Sequence, residues 1–403
     1  MMKNFILNYF WFLSGLKLRF RPKIIAISGS AGKTSTRLAI ATILEQKYKI
    51  ISASGNLNTE FGVPYVLLNL SIPNSNFDWI KNILKGLFTS FFAISPDYIV
   101  ILELGADKPK DISFFVERLN IDIAVLTNIG NAHLQNFTSK QELAFEKLNL
   151  MRAVRENGTL IYNADDVLLS EYAISFPKNR KFSFGKDGDT KIKNIKFNLS
   201  GVKAQITTST QDYLVQLPAI NKMLFWSIAP SVVVGELLDV SKRKIEQGLK
   251  KYYIENGRGK ILSGLKNSTI IDHSYNANPT SCVAVLESLG QLSTKRKKIA
   301  VLGEMKELGK ISKQEHIRVG KVAKQYADLV FTLGEESKDY GCRNFNSTGE
   351  LSDFLLKELS EGDIILFIGS QASRLEKVII NLLPNQNIAS NLLVRQSQYW
   401  RNQ

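Results

Sequence analysis

Cysteine is nearly absent from this chain, with Cys282 and Cys342 far apart and without ligand-like spacing. That excludes a disulfide framework or a cysteine zinc site and fits a reducing compartment. Long apolar runs are missing too. The richest stretch, Phe5 to Leu13, is too short to cross a bilayer and has no small-residue cleavage site behind it, which argues against a spanning segment and a secretory signal. There is no internal repeat, low-complexity linker, RNA-binding signature or zinc-finger spacing. Acidic charge is in deficit, with 37 Asp and Glu against 52 Lys and Arg and a formal charge of +15. The surface field therefore favours anions: nucleotides, nucleic acid or an acidic membrane face. Because the basic residues are dispersed, nucleic acid ranks last of the three. The 403 residues, 44% hydrophobic, suffice for roughly two to three domains with buried cores.

What is present begins with a strand, a glycine turn and a lysine. Lys23-Ile-Ile-Ala-Ile27 runs into Ser28-Gly-Ser-Ala-Gly-Lys-Thr-Ser-Thr36 and then a helical pattern with Ile40, Ile43 and Leu44. Gly29, Ser30, Ala31, Gly32, Lys33, Thr34 and Ser35 form a phosphate-binding loop. Glycines bring several N–H groups onto one anion, the following helix adds its positive end, Lys33 adds a full charge, and the Thr34 hydroxyl suits Mg²⁺. The spacing is the short GxxGKT, since Ile27 stands where a longer Walker loop has its first glycine. An ordinary strand-to-helix turn is the competing reading.

Ahead of the loop, Phe5, Ile6, Leu7, Tyr9, Phe10, Trp11, Phe12 and Leu13 are followed by Lys17, Arg19, Arg21 and Lys23. Aromatic rings flanked by positive charge have the composition of an interfacial membrane helix. A helix packed on its own protein is the alternative. A second segment of similar character, Trp79 to Phe92, reads either as its packing partner or as a second membrane contact.

From Lys23 onward, β-branched runs alternate with helical patterns: Tyr98 to Leu102, Ile121 to Leu126, Ile270 to Ile271, Ile299 to Leu302, Leu329 to Leu333 and Ile364 to Ile368. This is an α/β chain with largely parallel sheets. Between Lys181 and Leu217 the texture predicts antiparallel hairpins, followed by helices from about Ser227 to Leu238 and Ser241 to Tyr252. Glu255-Asn-Gly-Arg-Gly259 reads as a hinge. The domains expected are 1–22, an aromatic-basic helix; 23–256, an ATP-binding unit; and 257–403, a second α/β unit.

Ligands of open parallel sheets collect at the carboxyl ends of strands. Glu103, Asn128 and His133 follow apolar runs there, and a carboxylate and an imidazole beside a phosphate loop suit Mg²⁺. A strand-end ion pair and a hydrogen-bonded loop histidine are the plain alternatives. The loop is joined, in order, by Gly55-Asn-Leu-Asn-Thr-Glu-Phe-Gly-Val-Pro64, Leu102-Glu-Leu-Gly-Ala106, Thr127-Asn-Ile-Gly-Asn-Ala-His-Leu134, Asn163-Ala-Asp-Asp166, Asp272-His-Ser-Tyr-Asn-Ala-Asn-Pro279 and Val301-Leu-Gly-Glu-Met-Lys-Glu-Leu-Gly309. This series resembles the Mur ligases, from about Lys23 to Leu383.

The resemblance implies a P-loop central domain followed by a Rossmann-like C-terminal domain, in a cytoplasmic enzyme of peptidoglycan precursor synthesis. It implies an ATP-dependent ligase that activates a nucleotide-sugar peptide carboxylate as an acyl phosphate and joins a dipeptide amine to it. The alternatives are a Mur-type ligase for another, non-UDP or lipid-linked acid, and a weakly catalytic ATP-dependent membrane-surface protein. Thr34 and Glu103 would bind one Mg²⁺, Glu103 and His133 a second, with Lys147 as a carbamylated lysine bearing on it. Lys33, Lys147 and His133 would be catalytic. Asn56, Asn163, Arg258, Asp272, Tyr275, Asn276 and Asn278 would contact nucleotide or substrate.

Several positions depart from the family pattern. His273 replaces an acidic residue, Ile368 and Gln371 replace lysine and arginine while Arg374 persists, Asn149 replaces a glutamate, and only Asn221 remains of a Gly-x-His-Asn run. Only about twenty residues precede the loop, where the family carries a UDP-gripping domain. That grip is expected to be missing or replaced, with the aromatic-basic segment as one candidate replacement at the inner membrane face.

Overall fold

The computed structural model describes residues 2–53, 55, 57–130, 134–396 and 400. Asn56 and His133 lie outside them. The chain groups into two units: residues up to 192 with 206–213 and 225–252, and residues 193–205, 214–224 and 253 onward.

The first unit opens with α1 (Met2–Lys17), β1 (Lys23–Ser28), α2 (Lys33–Leu44), β2 (Lys49–Ser52), α3 (Gly62–Leu67), α4 (Asn76–Ser90) and β3 (Tyr98–Glu103). It continues through α5 (Asp111–Val116), β4 (Ile121–Leu126), α6 (Lys140–Arg152), β5 (Val154–Asn163), α7 (Val167–Ala173) and β6 (Arg180–Gly185). Strands β2, β3, β1, β4, β5 and β6 pair parallel in that order. Nearly every residue of β1, β3 and β4 is buried, as expected of central parallel strands covered on both faces.

β6 is parallel to β5, so the hairpin region expected from Lys181 starts later. It comprises β7 (Thr190–Asn198), β8 (Gly201–Thr207) and β9 (Asp212–Leu217). β7 meets the end of β6 in parallel, and β8 and β9 follow it in order at the edge of the sheet. Helices α8 (Leu224–Leu237) and α9 (Lys242–Lys251) follow. α8 starts earlier than its pattern suggests because it is apolar almost all round and carries Pro230 inside, which blurs its periodicity.

α1 is packed on its own protein. Leu7 and Trp11 join the main core of the unit, while Phe10 and Leu13 form a smaller one with Tyr65, Leu68 and Leu70. Trp11 Nε1 donates to the Glu60 carbonyl at 2.9 Å and Tyr9 Oη to that of Ile83 at 3.1 Å. α4 is the packing partner. Gly86 faces Phe10 and Leu13, so closely that a Cβ there would stand 3.4 Å from each. No helix among the described residues is long and apolar enough to cross a membrane.

The second unit holds β10 (Lys260–Ser263), β11 (Thr269–His273), α10 (Pro279–Gly290), β12 (Lys298–Gly303), α11 (Ser312–Tyr326), β13 (Leu329–Leu333) and β14 (Arg343–Phe345). It ends with α12 (Thr348–Glu358), β15 (Ile364–Ile368), α13 (Leu375–Leu382) and α14 (Ala389–Leu392). Its sheet runs β10-β11-β15-β12-β13-β14, parallel except for β10 against β11. Apolar clusters fill both of its faces. The Glu255–Gly259 segment is bound within this unit. Gly259 N donates to the Asp272 carbonyl at 2.7 Å, and the Gly259 carbonyl accepts from Ile220 N at 3.1 Å. Gly257 and Gly259 have φ of 73° and 98°, and a Cβ on Gly259 would fall 2.6 Å from His273 Nε2.

Candidate active site

Register places the first site. Ile27 of β1 pairs with Glu103 of β3, and Ser28 with Leu126 of β4, so the glycine loop, Glu103 and Thr127–Gly130 emerge side by side at the carboxyl edge of the sheet. Gly29 and Gly32 have φ of 144° and 83°. A Cβ on Gly29 would stand 2.0 Å from Thr127 Oγ1, so only glycine lets the loop lie against the end of β4. Thr127 and Asn128 clamp it: Thr127 Oγ1 donates to the Ala31 carbonyl at 2.6 Å, and Ala31 N and Ser30 N donate to Asn128 Oδ1 and O at 3.0 and 2.9 Å.

Gly32 caps α2 in the left-handed region without a side-chain acceptor. The first N–H groups of α2, from Lys33, Thr34 and Ser35, are therefore the ones turned to an anion. Lys33 folds back, its Nζ donating to the Gly29 carbonyl at 2.9 Å. Glu103 is buried. Its Oε1 accepts from Asn58 Nδ2 at 3.1 Å, whereas Oε2 has no hydrogen-bond partner and lies 3.8 Å from the buried Arg37 Nε. Arg37 is anchored by the Ala53 carbonyl and by Ser52 Oγ.

Lys147 on α6 is fully buried, and its Nζ has no hydrogen-bond partner. Burial, with the Lys33 charge adding, pushes it down to about 7, so much of it is a neutral amine at neutral pH. Its neighbour Glu146 is occupied elsewhere, accepting from Ile112 N at 2.7 Å and Ser113 N at 3.2 Å at the start of α5. Asn149 likewise turns to Ser113, at 3.2 Å. Asn163 is taken up by backbone, donating to the Thr127 carbonyl at 3.0 Å and accepting from Asp165 N at 3.0 Å, so it holds the end of β4 in place. Beside Glu103, a cavity of about 470 Å³ is lined by Asn58, Glu60, Gly105, Lys108, Lys110 and Phe114, among others.

The second unit has its own polar cluster at the carboxyl end of β11. Asp272 is fully buried; Oδ1 accepts from Ser274 N at 2.9 Å, Oδ2 has no partner, and burial raises its carboxyl above the usual range. Arg395 donates to the Ser274 carbonyl at 2.5 Å and to Glu376 Oε2 at 2.7 Å, while Arg374 holds Glu376 Oε1 at 2.7 Å. Arg258 pairs with Glu255 at 2.8 Å and lies 4.5 Å from the Tyr275 ring. Asn276 accepts from Ala277 N at 2.8 Å. Asn278 makes a capping box with Ser281 at the start of α10, which occupies its side chain structurally. His273 is a core residue, 3.4 Å from the Ile220 carbonyl, and burial drives it down to about 4, so it is neutral.

Residues 88–224 match the Mur ligase middle domain, and residues 257–371 the Mur ligase glutamate ligase domain. The chain belongs to the Mur ligase family. Like other members it is an ATP-dependent ligase. UDP-N-acetylmuramoyl-tripeptide--D-alanyl-D-alanine ligases from Bacillus subtilis and Escherichia coli are 26% and 29% identical to it. Each alignment covers 90% of this chain, and 76% and 77% of the respective relative. Among solved structures, MurF from Acinetobacter baumannii matches with a TM-score of 0.80 at 24% identity, covering 94% of this chain and 80% of that one. MurF from Thermotoga maritima, in complex with ADP, matches at 0.79 and 25%, covering 92% and 82%.

Within the first unit of this Mur ligase, the loop, Glu103 and the Asn128 clamp come together at one sheet edge. Sequence reasoning missed Arg37, Asn58, Glu376 and Arg395. Asn58 stood inside a quoted motif, but Arg37 reads as an ordinary helix residue and Arg395 lies beyond every motif. Among the described residues, no group of three His, Cys, Asp or Glu forms a ligand set.

Proposed function

We propose that this ligase joins D-alanyl-D-alanine to a UDP-N-acetylmuramoyl-tripeptide, with ATP consumed to ADP and phosphate, in the cytoplasm. The peptide carboxylate takes the terminal phosphoryl group of ATP, and the dipeptide amine then displaces phosphate to form the amide. Bringing two anions together needs concentrated positive charge, which Lys33 and the α2 N–H groups supply. Residues 23–256 are read as the ATP-binding domain and 257–403 as the C-terminal domain. In the second unit, Arg258 with Tyr275, and Asp272 with Asn276, are assigned to nucleotide or substrate contact.

Two groups in the first unit fit Mg²⁺: the Thr34 hydroxyl and the Glu103 carboxylate, a buried hard acceptor whose Oε2 takes no hydrogen bond and faces Arg37 Nε at 3.8 Å. Glu103, His133 and a carbamate on Lys147 would hold a second ion. Bound metal supplies neutralising charge for the transferring phosphoryl group. The observation that carries the reading is Lys147: a buried amine without a partner, held at about 7, is poised to add to CO₂ with loss of one proton and become a carbamate.

Phosphate release measured with UDP-muramyl tripeptide, with and without D-alanyl-D-alanine, tests the proposal. Dipeptide-dependent release is expected, and Lys33→Ala should abolish it. Turnover only with other amines would overturn the substrate assignment, and no release with any amine would overturn the catalytic one.

A further inference from the structure

α4 is amphipathic in the wrong sense for a helix facing water. Its fully buried residues are Asn82, Gly86 and Ser90, small or polar and at four-residue spacing, flanked by half-buried Trp79 and Ile83, while Phe77, Ile80, Leu84, Leu87 and Phe88 stand on the exposed side. The stripe runs on through Phe91 and Phe92. Phe77 is 73% exposed and Phe91 69%. α1 and the turn after it add a second exposed set, Phe5, Phe12 and Leu16 on the helix and Phe20 beyond it. Single exposed apolar residues are ordinary, but exposed aromatic sets on two packed helices mark an interaction surface.

The surface is preformed. Arg19 donates to the Ser90 and Phe91 carbonyls at 3.1 and 2.8 Å and lies 5.2 Å from the Phe20 ring, and Lys17 donates to the Thr89 carbonyl at 3.1 Å. The Phe88 and Phe92 rings are 5.4 Å apart. Phe20, Phe88, Phe91 and Phe92 are thus gathered where the ends of α1 and α4 are tied together. The charge around them is predominantly positive. Residues 3–23 carry Lys3, Lys17, Arg19, Arg21 and Lys23 and no acid, and α4 carries Lys81 and Lys85 against Asp78 alone.

We propose that the α1–α4 layer is a docking surface for an anionic lipid bilayer, into whose headgroup region the exposed Phe and Leu side chains insert while the Lys and Arg residues meet lipid phosphates. No described helix is long enough to span, so the chain lies on the membrane. Charge selects the occupant. A symmetric dimer through this face would set lysines and arginines against their own copies, whereas anionic lipid complements them. Of the aromatic residues in the segment that the sequence offers to the headgroups, Phe5 and Phe12 are exposed, while Phe10 and Trp11 are committed to the protein interior and Tyr9 is partly covered.

The test is co-sedimentation of the full chain with phosphatidylcholine vesicles and with vesicles containing phosphatidylglycerol. Binding is expected only to the anionic vesicles. The triple variant Phe88→Ser, Phe91→Ser, Phe92→Ser should weaken it by roughly tenfold or more, with the melting temperature unchanged. Lys81→Glu with Lys85→Glu should abolish the preference for anionic lipid. Absence of vesicle binding, or binding that the triple variant retains, would overturn the proposal. So would a dimer in light scattering that the triple variant converts to monomer.

Discussion

Lys147 is a lysine with no counter-ion in its immediate hydrogen-bond reach, and its burial has consequences in two measurements. Unfolded, it binds a proton up to about 10.5; folded, only to about 7. Between those values the unfolded state holds the extra proton, so stability rises with pH across that window and the penalty is fully present below it. Lys147→Met should flatten this limb in urea unfolding at pH 7 and pH 9. The same variant should lose ligase activity by on the order of a hundredfold or more, and the wild-type rate should fall in bicarbonate-free buffer and recover when bicarbonate is restored. His273 works on the acid side. Its ordinary value of 6.5 is lowered to about 4, so stability is lost as pH falls through that range, by a few kcal/mol at most. His273→Gln should remove this loss between pH 6.5 and pH 4 while leaving phosphate release at neutral pH nearly unchanged. A large loss of activity at pH 7.5 would mean that the residue touches substrate.

At the scale of elements, Asn278 shows how a motif residue can be committed to local structure. Its side chain and Ser281 satisfy each other's backbone at the start of α10, with Pro279 in the first turn. Asn278→Ala should therefore cost about 1 kcal/mol in denaturant unfolding, and Asn278→Ser or Asn278→Asp should restore most of it. If Asp rescued stability but not catalysis, the residue would have a second role at the substrate. The α1–α4 pair makes the converse point. A short aromatic-basic segment can be read as an anchor or as a packed helix, and the pattern of the chain does not separate them. Leu7, Phe10, Trp11 and Leu13 went inward, Ile6 and Tyr9 are half-buried against the smaller core, and Phe5 and Phe12 stayed out, because one face of α1 meets the main core and α4 while the other meets nothing among the described residues.

The whole molecule carries separate apolar cores in its two units. Each core is large enough to melt cooperatively on its own. Phe367→Ala, at the centre of the second sheet, should cost about 3–5 kcal/mol and lower one calorimetric transition, whereas ADP should raise the other. A single transition shifted by both would show that the units unfold as one.

Much of this organisation was legible in the chain. β-branched runs such as Ile299 to Leu302 became buried parallel strands, since such runs have few other stable settings. β2, β5 and β14 were not legible: Lys49–Ser52 and Arg343–Phe345 are short, and Val154–Asn163 carries Arg155, Glu156 and Asn157 in its first half. Alternation cannot signal a strand whose neighbours, rather than its own pattern, hold it in place.

The chain by itself determined the phosphate loop, the order of the motifs around it and the α/β class. Those depend on local backbone freedom at Gly29 and Gly32 and on hydrophobic periodicity, which are written in adjacent residues. Tertiary structure alone decided that Glu103 sets one oxygen against the buried Arg37, that Lys147 is dry and weakly basic, that His273 is core, and that α4 turns its phenylalanines outward. Each of these depends on what a distant segment places against the side chain. Desolvation and close packing are properties of that neighbourhood, not of the residue or its spacing.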